Sequence, residues 1–86
     1  MFDWDKENIA HIARHGVTRE EAEEAFKLAP MDIAELHHDE EVRYVQLGIT
    51  SKGPVLLLVT TWPGYFVRVV TAYTASPSLR KLYASK

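Results

Sequence analysis

Apolar residues recur at helical spacing in the first third of the chain and at strand-like spacing afterwards, with the change at Met31. Ile9, Ile12 and Ala13 share one face at i, i+3 and i+4. With Asp5 as N-cap, this spacing predicts a first helix of about three turns, starting at Lys6 and ended by Gly16. Thr18 and Glu21 read as a capping box for a second helix, whose buried stripe is Ala22, Ala25, Phe26 and Ala29 and whose stop is Pro30. Glu20, Glu21, Glu23 and Glu24 are expected to face water, and the early acids complement the positive end of the helix dipole.

Four strand-like runs follow, at 32–36, 42–49, 55–62 and 65–73. Their links are short and rich in turn formers: His38-Asp39-Glu40, Ser51-Lys52-Gly53-Pro54 and Pro63-Gly64. None is long enough for a parallel crossover, so the sheet is predicted to be antiparallel and built of hairpins. Val55 to Val59 is apolar on both faces, which predicts a central strand covered at least in part from each side. Ser76-Pro77 reads as an N-cap followed by a first-turn proline, opening a short terminal helix with Leu79, Leu82 and Tyr83 as its apolar stripe. The expected fold class is α+β: two N-terminal helices on a four-stranded antiparallel sheet, then a short C-terminal helix.

Composition narrows the picture. Eighty-six residues suit a single domain with one core. The absence of cysteine excludes a disulfide scaffold and a thiolate metal site, and it fits a reducing compartment. The start lacks a basic segment followed by an apolar run, and the longest apolar stretch falls far short of a membrane span, so a cytoplasmic protein is expected. The overall charge of -2 conceals a division along the chain. Residues 1–41 hold all twelve acids and four bases (Lys6, Arg14, Arg19 and Lys27), a net of -8. Residues 42–86 hold no acid and six bases (Arg43, Lys52, Arg68, Arg80, Lys81 and Lys86), a net of +6. An acid-free half can present a positive surface to a phosphate backbone or an acidic partner, or its cations can simply solubilise strands.

The chain carries in order Phe2-Asp3-Trp4-Asp5, Arg14-His15-Gly16-Val17-Thr18, Glu21 to Phe26, Arg43-Tyr44-Val45 with Gly48, and Val67-Arg68-Val69-Val70-Thr71-Ala72. This ordered set, running from Phe2 to Tyr83, resembles the BrnT family of toxins. The resemblance implies a RelE-like ribonuclease fold with a curved antiparallel sheet, and toxicity through RNA cleavage and arrested translation. It also implies neutralisation by a BrnA-like ribbon-helix-helix antitoxin. Operator DNA would be reached only through that antitoxin, and a homodimer of the antitoxin-free toxin is left open. Family members often carry a basic run such as Ser-Ala-Arg-Arg-Ala where this chain has Thr71-Ala72-Tyr73-Thr74-Ala75. That departure supports a second reading: a catalytically degenerate binding module that pairs with an antitoxin and co-represses without cutting RNA.

RNA cleavage without metal needs the 2′-hydroxyl deprotonated, the phosphate charge neutralised in the transition state and the leaving oxygen protonated, tasks within reach of Arg, Lys, Tyr and His. The period of two puts Phe66, Arg68, Val70 and Ala72 on one face, so Arg68 interrupts an apolar surface. Its guanidinium suits either a phosphate in an open groove or a carboxylate from the helices. Arg43 is the second phosphate candidate, against an edge-strand charge that discourages pairing. His15 and Tyr73 are the proton-transfer candidates, against a helix-end cap and a packed strand-end ring. Arg80, Lys81 and Lys6 are candidates for RNA contact, against ordinary helix-surface cations. His11 and His15 are four apart, but no third ligand converges, and His37 and His38 read as part of a solvated turn, so neither a metal nor another cofactor is expected. Trp4 and Trp62 read most simply as packing anchors, with stacking on RNA bases as the sharper alternative.

Overall fold

The computed structural model describes residues 1–85; Lys86, counted among the second-half cations, lies outside them. The order is α1 (Lys6–Ala13), α2 (Arg19–Lys27), β1 (Met31–His38), β2 (Glu41–Ile49), β3 (Val55–Thr61), β4 (Arg68–Thr74) and α3 (Pro77–Ala84). The four strands form one antiparallel sheet in sequential order. The helix starts are those the sequence encodes. Asp5 accepts from the Asn8 backbone N–H, Thr18 and Glu21 close a reciprocal capping box, and Ser76 caps α3 with Pro77 in its first turn. Gly16, at φ +77°, turns the chain out of α1 in the left-handed region that a side chain would disfavour.

Two apolar clusters sandwich the sheet, and β3 contributes to both, as its uninterrupted apolar run requires. On one face Ile12, Val17, Ala22 and Ala25 of the N-terminal helical region pack against Leu56, Leu58, Val69 and Ala72. On the other, α3 lays Tyr83 and Leu79 over Leu47, Val55 and Leu57, and the Tyr83 hydroxyl donates to the Ala29 carbonyl at 2.9 Å. This second cover is short. It leaves the β2-start, β3-end and β4-start portion of its face without a helix.

Several expectations need correction. β4 begins at Arg68 rather than residue 65, because residues 62–67 form an open loop whose Val67 bridges Phe2 in parallel. The register shifts opposite Val59 and Thr60, with Val70 as the extra residue of β4. Ala72 pairs with Leu58 and Arg68 with Thr61, which point to opposite faces, so Arg68 does not share Ala72's face as strict alternation predicts. Arg68 instead faces the same way as Thr71 and Tyr73, which pair with Val59 and Leu57. α2 stops at Lys27, and Ala29, at φ +34° and exposed, is not part of its buried stripe. Leu82 is likewise exposed, because α3 buries only Tyr83 fully. Glu23 and Glu24 do not simply face water: Glu23 accepts from the Trp4 indole at 2.7 Å, and Glu24 accepts from the Ser51 backbone N–H at 2.7 Å.

Candidate functional site

The end of the sheet left uncovered by α3 holds a hollow of about 790 Å³, lined among others by Asn8, Arg43, Tyr44, Thr61, Trp62 and Arg68. Arg43 alternates with Val45 and Leu47, and Val45 pairs with Val59, so Arg43, Thr61 and Arg68 all face the same side. Two strand spacings separate the two arginine backbones, about 10 Å across β3. The sheet thus gathers the two phosphate candidates into one cavity of nucleotide-accommodating size.

Neither guanidinium is free of counter-charge. Arg68 Nη2 donates to Asp3 Oδ2 at 2.5 Å, and Arg43 Nε donates to Glu41 Oε1 at 2.7 Å. Asp3 sits there because the N-terminal segment pairs with the loop before β4, through Asp3 N to the Val67 carbonyl and Val67 N to the Met1 carbonyl, each at 2.8 Å. The Asp3 hydrogen bond and charge, with smaller help from Asp5 and Glu41, hold Arg68 even more firmly protonated than an ordinary arginine. Arg68 Nε is buried and has no hydrogen-bond partner among the described residues. On the far rim, the β1–β2 turn contributes His38, Asp39, Glu40 and Glu41, with Asp39 in the left-handed region at φ +55°. The positive surface anticipated from the acid-free half is therefore met by acids of the other half.

His15 and Tyr73 form a separate group. α1 runs along the β4 edge, placing the His15 ring 5.8 Å from the Tyr73 ring and 5.3 Å from the His11 ring. His11 Nε2 lies 3.0 Å from the Thr71 hydroxyl, and the Asn8 amide donates to the Val69 carbonyl. Arg68 and Tyr73 share a face, but their partners Thr61 and Leu57 lie four residues apart on β3, roughly 13 Å of strand. The four catalytic candidates accordingly resolve into an arginine pair flanking β3 and a His–Tyr pair where the end of α1 meets the end of β4. Of the RNA-contact candidates, Lys6 lines a shallower depression beside His11 and Arg14. Arg80 and Lys81 are exposed on α3, at the opposite end of the sheet from the arginine hollow, and Arg80 Nη1 donates to the Ala75 carbonyl at 3.0 Å.

Asp3 and Glu41, the carboxylates that pair with the two arginines, are the residues that sequence reasoning missed; Trp62 was read as a packing anchor with base stacking as the alternative. Asp3 lies 65 positions from Arg68, so only the fold reveals the pair. Glu41 and Arg43 had a local signal, an i, i+2 spacing on one strand face. No cluster of three or more His, Cys, Asp or Glu suited to a metal ion occurs among the described residues. No helix among them is long and apolar enough to cross a membrane.

No individually curated protein matches the chain. The family model described as "Ribonuclease toxin, BrnT, of type II toxin-antitoxin system" matches residues 4–78. That span takes in both helices beneath the sheet, all four strands, both arginines of the hollow and the His15–Tyr73 pair. Residues from Trp4 into the first turn of α3 thus follow one family pattern, and the chain belongs to the BrnT family of ribonuclease toxins of type II toxin-antitoxin systems.

Proposed function

We propose that this toxin is a metal-independent endoribonuclease of RelE-like fold that binds single-stranded RNA along the uncovered face of a curved sheet and arrests translation in the cytoplasm. A BrnA-like ribbon-helix-helix antitoxin neutralises it. The observation that carries this reading is the convergence of Arg43 and Arg68 on one open hollow. Two guanidinium groups there suit an RNA phosphate, which can take the place of the Asp3 and Glu41 carboxylates. Tyr73 stands roughly 13 Å of strand from Arg68, with His15 beside it at the end of α1, and we place that pair at a neighbouring phosphate. The arginines therefore anchor one phosphate, while the His–Tyr pair serves proton transfer at a bond further along the same strand. There one group takes the 2′-hydroxyl proton as the 2′-oxygen attacks phosphorus, and the other protonates the departing 5′-oxygen. Lys6, Arg80 and Lys81 contribute outlying charge to the flanking RNA.

Purified chain incubated with RNA in EDTA tests this directly. Cleavage is expected, with Arg68→Ala raising KM and His15→Ala lowering kcat while binding persists. If both variants cut like the unaltered protein, the assignment of these residues is wrong; if cleavage stops with EDTA and returns with a divalent cation, metal independence is wrong.

A second reading has its own support. Both hollow arginines already carry carboxylates of their own chain, and Tyr73-Thr74 occupies the position where family members often have basic residues. A degenerate toxin that retains antitoxin binding and strengthens operator repression would look like this. Antitoxin–operator gel shifts with and without this chain, alongside the cleavage assay, separate the two.

A further inference from the structure

Among the described residues eight large apolar side chains are exposed, and four of them are aromatic: Trp62, Tyr65, Phe66 and Tyr73. All four lie on the β3–β4 loop or on β4, on either side of Arg68 in sequence. Phe2, Trp4, Phe26, Tyr44 and Tyr83, by contrast, are buried or partly buried. On the loop, Trp62 is 46 % exposed, Tyr65 94 % and Phe66 51 %. Packing explains little of this arrangement. The ring contact of Trp62 is a tilted one with Phe26, centroids 6.3 Å apart, and its indole N–H has no hydrogen-bond partner among the described residues. Trp4 differs: its indole donates to Glu23 and its ring packs on the inner core.

Trp62 lines the hollow with Arg43 and Arg68. It directly follows Thr61, the β3 partner of Arg68, so a polyanion approaching over Trp62 meets Arg68, and Glu41, at the start of the neighbouring β2, lines the same hollow. An open aromatic face next to phosphate-binding arginines is the combination by which single-stranded nucleic acid is held: the rings take bases and the cations take the backbone. An apolar protein segment would satisfy Trp62 but leave the neighbouring arginines without a phosphate.

We propose that Trp62 is a nucleobase-stacking platform, holding a base of single-stranded RNA against the indole while the adjoining phosphate engages Arg68. The inference rests on the ribonuclease reading above and adds to it the element that grips a base. Because every base offers a π-face, the contact favours single-stranded over duplex RNA without specifying sequence.

The test is equilibrium binding, at fixed salt, of a dye-labelled oligonucleotide with 2′-deoxy sugars throughout, which cannot be cleaved through a 2′-hydroxyl, and of the same backbone with abasic sites. Trp62→Ala is expected to weaken binding of the first by between about fivefold and about a hundredfold, and Trp62→Phe to recover most of it. The abasic strand should bind the wild type and Trp62→Ala alike. In a Trp4→Phe background Trp62 is the sole tryptophan, and its emission should be quenched by the base-containing strand but not by the abasic one. If Trp62→Ala binds as the wild type does while Arg68→Ala binds more weakly, the stacking role is overturned and the ribonuclease reading stands. If Trp62→Ala loses antitoxin binding with oligonucleotide affinity unchanged, Trp62 is a protein-docking residue and the proposal fails. If the wild type binds neither strand, both readings fall.

Discussion

Gly48→Ala tests the seating of α2 on the sheet. Gly48 is buried in β2, opposite Leu56 and directly beneath Ala25. A Cβ built there would lie 2.8 Å from the Ala25 carbonyl carbon and nearer still to its oxygen, with the Ala25 Cβ at 3.0 Å. Carbon atoms pack best at about 3.5 to 4.0 Å, so the clash is relieved only by a displacement on the order of 1 Å. The obstruction is helix backbone, and no rotamer change removes it; α2 must lift from the core that Ala22 and Ala25 help to close. Overpacking of this kind costs about 1–3 kcal/mol, and a backbone obstacle places Gly48→Ala toward about 3 kcal/mol. A chain of this size loses about 5 °C of Tm per kcal/mol, so the expected drop is roughly 15 °C. Thermal unfolding followed by circular dichroism measures it, with Gly64→Ala as control, since a Cβ at Gly64 meets nothing within 4 Å. The control should shift by less than about 3 °C. Equal melting of the two variants would refute the close approach of α2 to β2.

Tyr83→Phe removes the hydroxyl that ties α3 to the Ala29 carbonyl and should cost about 1 kcal/mol, read as a lower urea midpoint with an unchanged m-value. Asp3→Asn withdraws the carboxylate from Arg68, so oligonucleotide affinity should rise and its dependence on salt should steepen; unchanged affinity would mean that Arg68 does not meet phosphate. The Ser51 backbone N–H holds the Glu24 carboxyl below its ordinary 4.5, so the folded state binds that proton less readily than the unfolded state. Its stabilisation is present above pH 4.5 and is lost as pH falls through the lower folded value. The stability gap between wild type and Glu24→Gln should therefore narrow in acid, as urea midpoints at pH 7 and pH 3 would show.

What the sequence disclosed follows from range. Asp5, the Thr18–Glu21 box and Ser76-Pro77 act within one helical turn, so residue type and spacing suffice to place three helix starts. The double-faced run of β3 likewise implies two covers, and α1 with α2 on one side and α3 on the other supply them. The bulge at Val70 left no comparable mark, because Val-Val within a strand reads the same with or without an extra residue, yet it alone decides which face Arg68 occupies. The Asp3–Arg68 pair was also invisible, since it depends on the N-terminal segment returning to the β4 loop. His15 and Arg68 both stood out as chemical groups, but their separation along β4 is a property of the assembled sheet.

The ion pairs in the hollow contribute little to folding, and that bears on what the hollow can do. Two guanidinium charges carried on backbones about 10 Å apart repel by on the order of 2 kcal/mol at the effective dielectric of a protein surface. The side chains of Arg68, Asp3, Arg43 and Glu41 remain roughly two-fifths exposed, and pairs so exposed are worth about 0 to 1 kcal/mol each. Attraction and repulsion thus nearly cancel, so the fold gains no substantial stability from keeping both arginines on this face. By the same reasoning it loses little when a carboxylate gives way. On the proposed function, an RNA phosphate entering the hollow would exchange one anion for another on guanidinium groups already held in place, with no movement required of the β2–β3–β4 framework that aims them.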